Sequence, residues 1–180
     1  MHLLILLAGF LTSAAASADD LISIQVQDIS IDRGEVPLEE VARLVESGAI
    51  ADPEPLSAVV LPSGDFETDL MEPFEYVAEF DGDGSPLRRV KKPLGRKVTG
   101  SVKRDKELVT IELTYTSTAK TDEVDYSLES GAKVSQPVFS TVRNSTGFLA
   151  KPGSWTILPL SSPPGIEHRR YLAVRVIAAK

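Results

Sequence analysis

Leu108-Val109-Thr110-Ile111-Glu112-Leu113-Thr114-Tyr115-Thr116 is the stretch from which the fold class can be read. Val109, Ile111, Leu113 and Tyr115 fall on one side of an extended chain, and Thr110, Glu112, Thr114 and Thr116 on the other. A period of two with one apolar side means a strand packed on one face and wet on the other. Arg96 to Lys103 supplies the second arm of a hairpin around Arg104-Asp105-Lys106-Glu107.

Outward from this hairpin, most of the chain keeps the same short period. Ser23 to Ile29, Leu56 to Leu61, Phe74 to Phe80, Val138 to Val142, Trp155 to Leu160 and Tyr171 to Ala178 read as further strands. Phe74, Tyr76, Ala78 and Phe80 alternate against Glu75, Val77 and Glu79, and Asp81-Gly82-Asp83-Gly84-Ser85-Pro86 then breaks the run. The last run is apolar on both sides apart from Arg175, which marks a central strand. A turn is expected at Arg33-Gly34. Pro37 to Ser47 is the one helical pattern, with Leu38, Val41, Ala42 and Val45 on a stripe that Leu44 widens. Pro37 suits the first helical position, Glu39 and Glu40 suit the positive end of the dipole, and Gly48 can close the last turn. The expectation is a mainly β, antiparallel single domain with one helix in its N-terminal half.

Composition narrows the chemistry. The chain has 180 residues, no cysteine, and two histidines, His2 and His168. Thiolate catalysis, disulfide scaffolds and cysteine zinc sites are excluded. Asp81-Gly82-Asp83-Gly84-Ser85 imitates the opening of a calcium loop, but Lys92 stands at the twelfth position, where a bidentate Glu is needed. The stretch therefore reads as a surface turn. Glu35, Glu39 and Glu40 serve a helix start, and His168 has no serine nucleophile motif beside it. No catalytic, cofactor-binding or metal-ligating set is expected, and no cofactor.

Leu3 to Leu11 is an apolar run followed by Ala16-Ser17-Ala18, the small-x-small pattern that a signal peptidase accepts. Residues 1–18 are expected to be a signal peptide and residues 19–180 a single exported domain, placed in the periplasm, the cell envelope or outside the cell.

The net charge of −7 is laid out unevenly. Asp19 to Leu87 holds 18 acidic residues against Arg33 and Arg43, a net −16. Arg88, Arg89, Lys91, Lys92, Arg96, Lys97, Lys103, Arg104 and Lys106 then face Asp105 alone, a net +8, and the remainder carries +1. The basic stretch lacks aromatic residues for base stacking and the domain is acidic, so nucleic acid is not an expected partner. These nine residues are the candidate interaction site. Their charges are expected to face the acidic half of the chain, a protein partner or a second copy.

The order of elements resembles the C-terminal β-domain of bacterial secretins. Val36 to Ala49, then Val59-Val60-Leu61-Pro62-Ser63-Gly64 and Phe74 to Phe80, look like its helix, Ser-Gly turn and acidic-aromatic strand. Lys92-Pro93-Leu94-Gly95-Arg96-Lys97-Val98 stands where that family carries its glycine-bearing strand. Glu107 to Tyr115 resembles the apolar-alternating strand that follows. Gln136-Pro137-Val138-Phe139-Ser140-Thr141-Val142-Arg143 is similar to the family's Pro-x-Phe-x-Thr segment, and Lys151 to Leu158 to its glycine turn and next strand. Leu158-Pro159-Leu160 replaces the family's Gly-Gly-Leu, the later Gly-Asp-x-Pro signature is missing, and no N-terminal ring-forming domains are expected. The resemblance implies a non-enzymatic envelope protein that works by protein–protein interaction or homo-oligomeric assembly, linked to a secretion or pilus system and membrane-associated only through partners. The alternative is a cell-surface ligand- or glycan-binding β-sandwich using Trp155, Tyr115 or the basic hairpin.

Overall fold

The computed structural model describes residues 21–32, 36–61, 63–161 and 169–178. The expected signal peptide, the Arg33-Gly34 turn, Glu35 and both histidines lie outside them. Eight strands and one helix follow in the order β1 (Ile22–Ile31), α1 (Leu38–Glu46), β2 (Leu56–Val60), β3 (Ser63–Phe80), β4 (Pro86–Asp105), β5 (Leu108–Ser127), β6 (Lys133–Ala150), β7 (Trp155–Pro159) and β8 (Arg169–Ala178). They build two antiparallel sheets, one ordered β2-β1-β8-β7 and one a meander β3-β4-β5-β6. The expected mainly β architecture with one helix is present, and β8 is a central strand.

The sheets pack face to face through residues of a single parity. Ile22, Ile24 and Val26 of β1 and Leu172, Val174 and Val176 of β8 meet Val98 and Val102 of β4 and Val109, Ile111, Leu113 and Tyr115 of β5. Phe66 of β3 lies over Gly100, where a Cβ would stand 2.9 Å from the ring and 2.2 Å from the Glu112 carbonyl. The back of the smaller sheet carries a second cluster, in which Ile29, Ile31, Tyr171 and Ala173 receive Val41 and Val45 of α1. Of the expected helical stripe, these two valines are the buried members, whereas Leu38 is exposed. A nine-residue helix lying across a twisted sheet touches it along a narrow seam. Gly48, at φ 71°, closes the helix by donating to the Val45 carbonyl.

The four strands of the larger sheet are 18 to 20 residues long, more than twice what their apolar patterns mark. Ser63 and Gly64, read as a turn, already belong to β3. Ala119 to Ser127 and Lys133 to Gln136 carried no strand pattern, because no sheet packs over them to demand an apolar face. β4 and β5 turn at Lys106-Glu107, with Lys106 at φ 54°.

Candidate functional site: a split arm on a charged root

The core between the sheets ends in charge. Asp28, Arg170 and Arg96 occupy the next inward positions after Val26, before Leu172 and before Val98, so all three point between the sheets. Arg170 pairs with Asp28, and the Tyr115 hydroxyl donates to the same carboxylate. Arg96 pairs with Asp52, whose side chain is 3% exposed. Asp52 also accepts from the backbone N–H of Asp28 at 3.0 Å and of Glu54 at 3.0 Å, while Arg96 donates to the Glu54 carbonyl at 2.6 Å. Two carboxylates and two guanidiniums thus neutralise one another in a layer contributed by β1, the α1–β2 connection, β4, β5 and β8.

Burial works against the charge of Arg96 and Arg170. Hydrogen bonds to Asp52 and Asp28 more than offset it, holding both guanidiniums above their ordinary values. Burial, with the Asp28 charge beside it, pushes the Tyr115 phenol well up, so it remains a neutral donor. Both guanidiniums and the phenol are thus moved further from neutrality. The geometry of the layer is that of a clamp between the small sheet and the root of the long strands.

Beyond this layer the large sheet continues as an arm and splits. β3 stays paired with β4 from Ser63↔Lys103 to Phe80↔Pro86, and β5 with β6 from Val109↔Ala150 to Ser127↔Lys133. The β4–β5 ladder, by contrast, ends at Gly95↔Thr118. Gly95 sits at φ 130°, with the Leu70 carbonyl oxygen 2.0 Å from where a Cβ would be, so no other residue fits. Pro73 faces Pro93 just beyond it, which removes two ladder donors. A bulge interrupts β5 between Lys120 and Asp122.

The two freed hairpins close instead at β3 and β6. Phe74 and Tyr76 meet the Phe139 ring at 6.0 and 5.2 Å between centroids, and the Lys92 ammonium caps Phe139 at 4.5 Å. At the tips, Gly84 approaches Ala132 and Val134. The Asp81–Ser85 turn is tied by its own carboxylate, since Asp81 accepts from the N–H groups of Asp83 and Ser85. Its oxygen is thus committed to the turn, and among the described residues no group of three His, Cys, Asp or Glu side chains is placed to hold a metal ion.

The nine basic residues do not form one surface. Eight of them spread along the 20-residue β4, which spans about 60 Å when extended, and Lys106 lies in the turn after it. Arg88, Arg89, Lys91 and Lys92 lie on the arm, Arg96 in the charged root, Lys97 on the open face, and Lys103, Arg104 and Lys106 at the opposite end. Their partners come from the acidic half, as the charge layout implies: Arg88 with Glu79, Arg89 with Glu75, and Lys97 with Glu67. The Arg88 hydrogen bond holds the Glu79 carboxyl below its usual range. Lys91, Lys103, Arg104 and Lys106 make no ion pair within the described residues.

The aromatic residues considered for ligand stacking are otherwise engaged. Tyr115 is fully buried, and Trp155 packs on the second core cluster with Arg175 over its ring at 5.7 Å. Asp28, Asp52 and Arg170 escaped the sequence reading, although Asp28 and Arg170 carry a signal there: each continues an inward apolar series with a charge. No family model matches the sequence, and no curated protein or solved structure is significantly similar to the chain.

Proposed function

We propose that this chain is a non-catalytic exported envelope protein with a secretin-like β-domain, whose role is protein–protein assembly, linked to a secretion or pilus system. The observation that carries the reading is the pair of open edges on the large sheet. β3 and β6 are each 18 residues long and have no strand on their outer side among the described residues. Clear of the Phe74–Tyr76–Phe139 contact, Ser63 to Glu72 of β3 and Thr141 to Ala150 of β6 still offer ten residues each that are unpaired on the outer side, a template for another chain.

The two edges are also electrostatically opposite. β3 carries Asp65, Glu67, Asp69, Glu72, Glu75 and Glu79 and no basic residue, whereas β6 carries Lys133 and Arg143 and no acidic one. Pairing the β3 edge of one copy with the β6 edge of the next is a heterologous contact, which closes into a ring or continues as a filament. Light scattering and negative-stain microscopy of the exported product test the reading. Rings or filaments are expected, and a strict monomer at high concentration overturns it. N-terminal sequencing of the same product should begin at Asp19; retention of Leu3 to Leu11 would remove export by a cleaved signal.

A further inference from the structure

We propose that the split in the arm is a second self-recognition surface, at which the free inner edge of β4 pairs with the free inner edge of β5 from another copy of this chain. Pro86 to Leu94 of β4 and Ala119 to Ser127 of β5 are each bonded on one side, to β3 and β6 respectively, and their other sides are unpaired among the described residues. Both segments are largely exposed. They include large apolar side chains at the far end, Leu87 at 66% and Tyr126 at 52% exposure.

The sequences of the two edges fit each other. Continuing the register of Gly95↔Thr118 past the split places Lys91 opposite Asp122, Arg88 opposite Asp125 and Leu87 opposite Tyr126. If the β5 bulge shifts the register by one residue, Lys92 meets Asp122, Lys91 meets Glu123 and Arg89 meets Asp125, so unlike charges still face each other. Within one chain the β4–β5 ladder stops at Gly95↔Thr118, where Gly95 and the Pro73–Pro93 pair bend the hairpin, and the closure of Phe74 and Tyr76 on Phe139 brings β3 to β6 and leaves β4 away from β5. A second copy faces no such constraint. Its β5 can lie along β4 while its own β4 receives β5 in return, an isologous exchange with two identical ladders. The contact does not use the outer edges of β3 and β6.

Charge reversal with complementary mixing tests it on the full chain. Arg88→Glu with Lys91→Glu makes both edges acidic, and Asp122→Lys with Asp125→Lys makes both basic. Each double variant alone is expected to lose the arm-mediated dimer in sedimentation, and an equimolar mixture to regain it as a heterodimer. The absence of cysteine gives an independent readout: Leu87→Cys and Tyr126→Cys, made in separate chains and mixed under oxidising conditions, are expected to cross-link between chains. No cross-link, or one found solely within a chain carrying both cysteines, overturns the proposal. So does failure of the mixture to recover. Because these variants leave the β3 and β6 edges intact, rings or filaments that persist without the arm contact leave edge assembly standing, and the reverse pattern does the opposite.

Discussion

Asp28 continues the inward series Ile22, Ile24, Val26, and a carboxylate at that parity is tolerated because Arg170, Tyr115 and, through its backbone, Asp52 converge on it. Removing one member of such a pair leaves the other charge buried and unmatched, which is the expensive case. Asp28→Ala should therefore destabilise the protein by about 3 kcal/mol, a fall in melting temperature of roughly 6 to 12 °C, read by thermal or denaturant unfolding. Tyr115 gives a second test. Its phenol is raised in the folded state, so the stabilisation is full below the unfolded value near 10 and is lost as pH rises above it. Of the four tyrosines, one should ionise only as the protein unfolds, seen in phenolate absorbance. Tyr115→Phe should flatten the alkaline decline.

At the level of elements, the long strands have two kinds of support. Their proximal halves are covered by the small sheet, and burial of Val98, Val102, Val109 and Ile111 holds them. Their distal halves rest on a handful of ring contacts, Phe139 with Phe74, Tyr76 and Lys92. Each such exposed contact contributes about 0.5 to 1.5 kcal/mol, so the arm is a low-stability unit hinged on a stable body. Phe139→Ala should accelerate amide hydrogen exchange in residues 72–94 and 119–140 while leaving the melting temperature of the body nearly unchanged. Equal loss of protection in β1 and β8 would show that arm and body unfold together.

For the molecule as a whole, net charge says less than its arrangement. The −7 includes an acidic β3 edge, a basic β4 of whose eight cations four are paired, and a mildly basic β6 edge. Contacts between copies through these surfaces are screened by salt, since the Debye length shrinks from about 30 Å at 0.01 M to about 3 Å at 1 M. Assembly should weaken across that range in sedimentation; indifference to salt would mean that the charged edges do not carry it.

The fold class, the helix, the central place of β8 and the hairpin at residues 96–116 are all legible in the order of the amino acids. Each of these rests on residues that the core must bury, and burial writes a period of two or of 3.6 into the chain. The −16 and +8 segments left open whether their charges meet within the chain, on a partner or on a second copy, and the structure pairs Arg88, Arg89, Arg96 and Lys97 with Glu79, Glu75, Asp52 and Glu67. The full length of the long strands is visible only in the folded chain, because a segment with no sheet above it needs no apolar face. Only there do Asp28, Asp52, Arg96, Tyr115 and Arg170 form one layer, since they come from five places in the chain and meet only when two sheets are stacked. The split of the arm is settled there as well: Gly95 and the two prolines permit it, but the closure of β3 on β6 is what draws β4 away from β5.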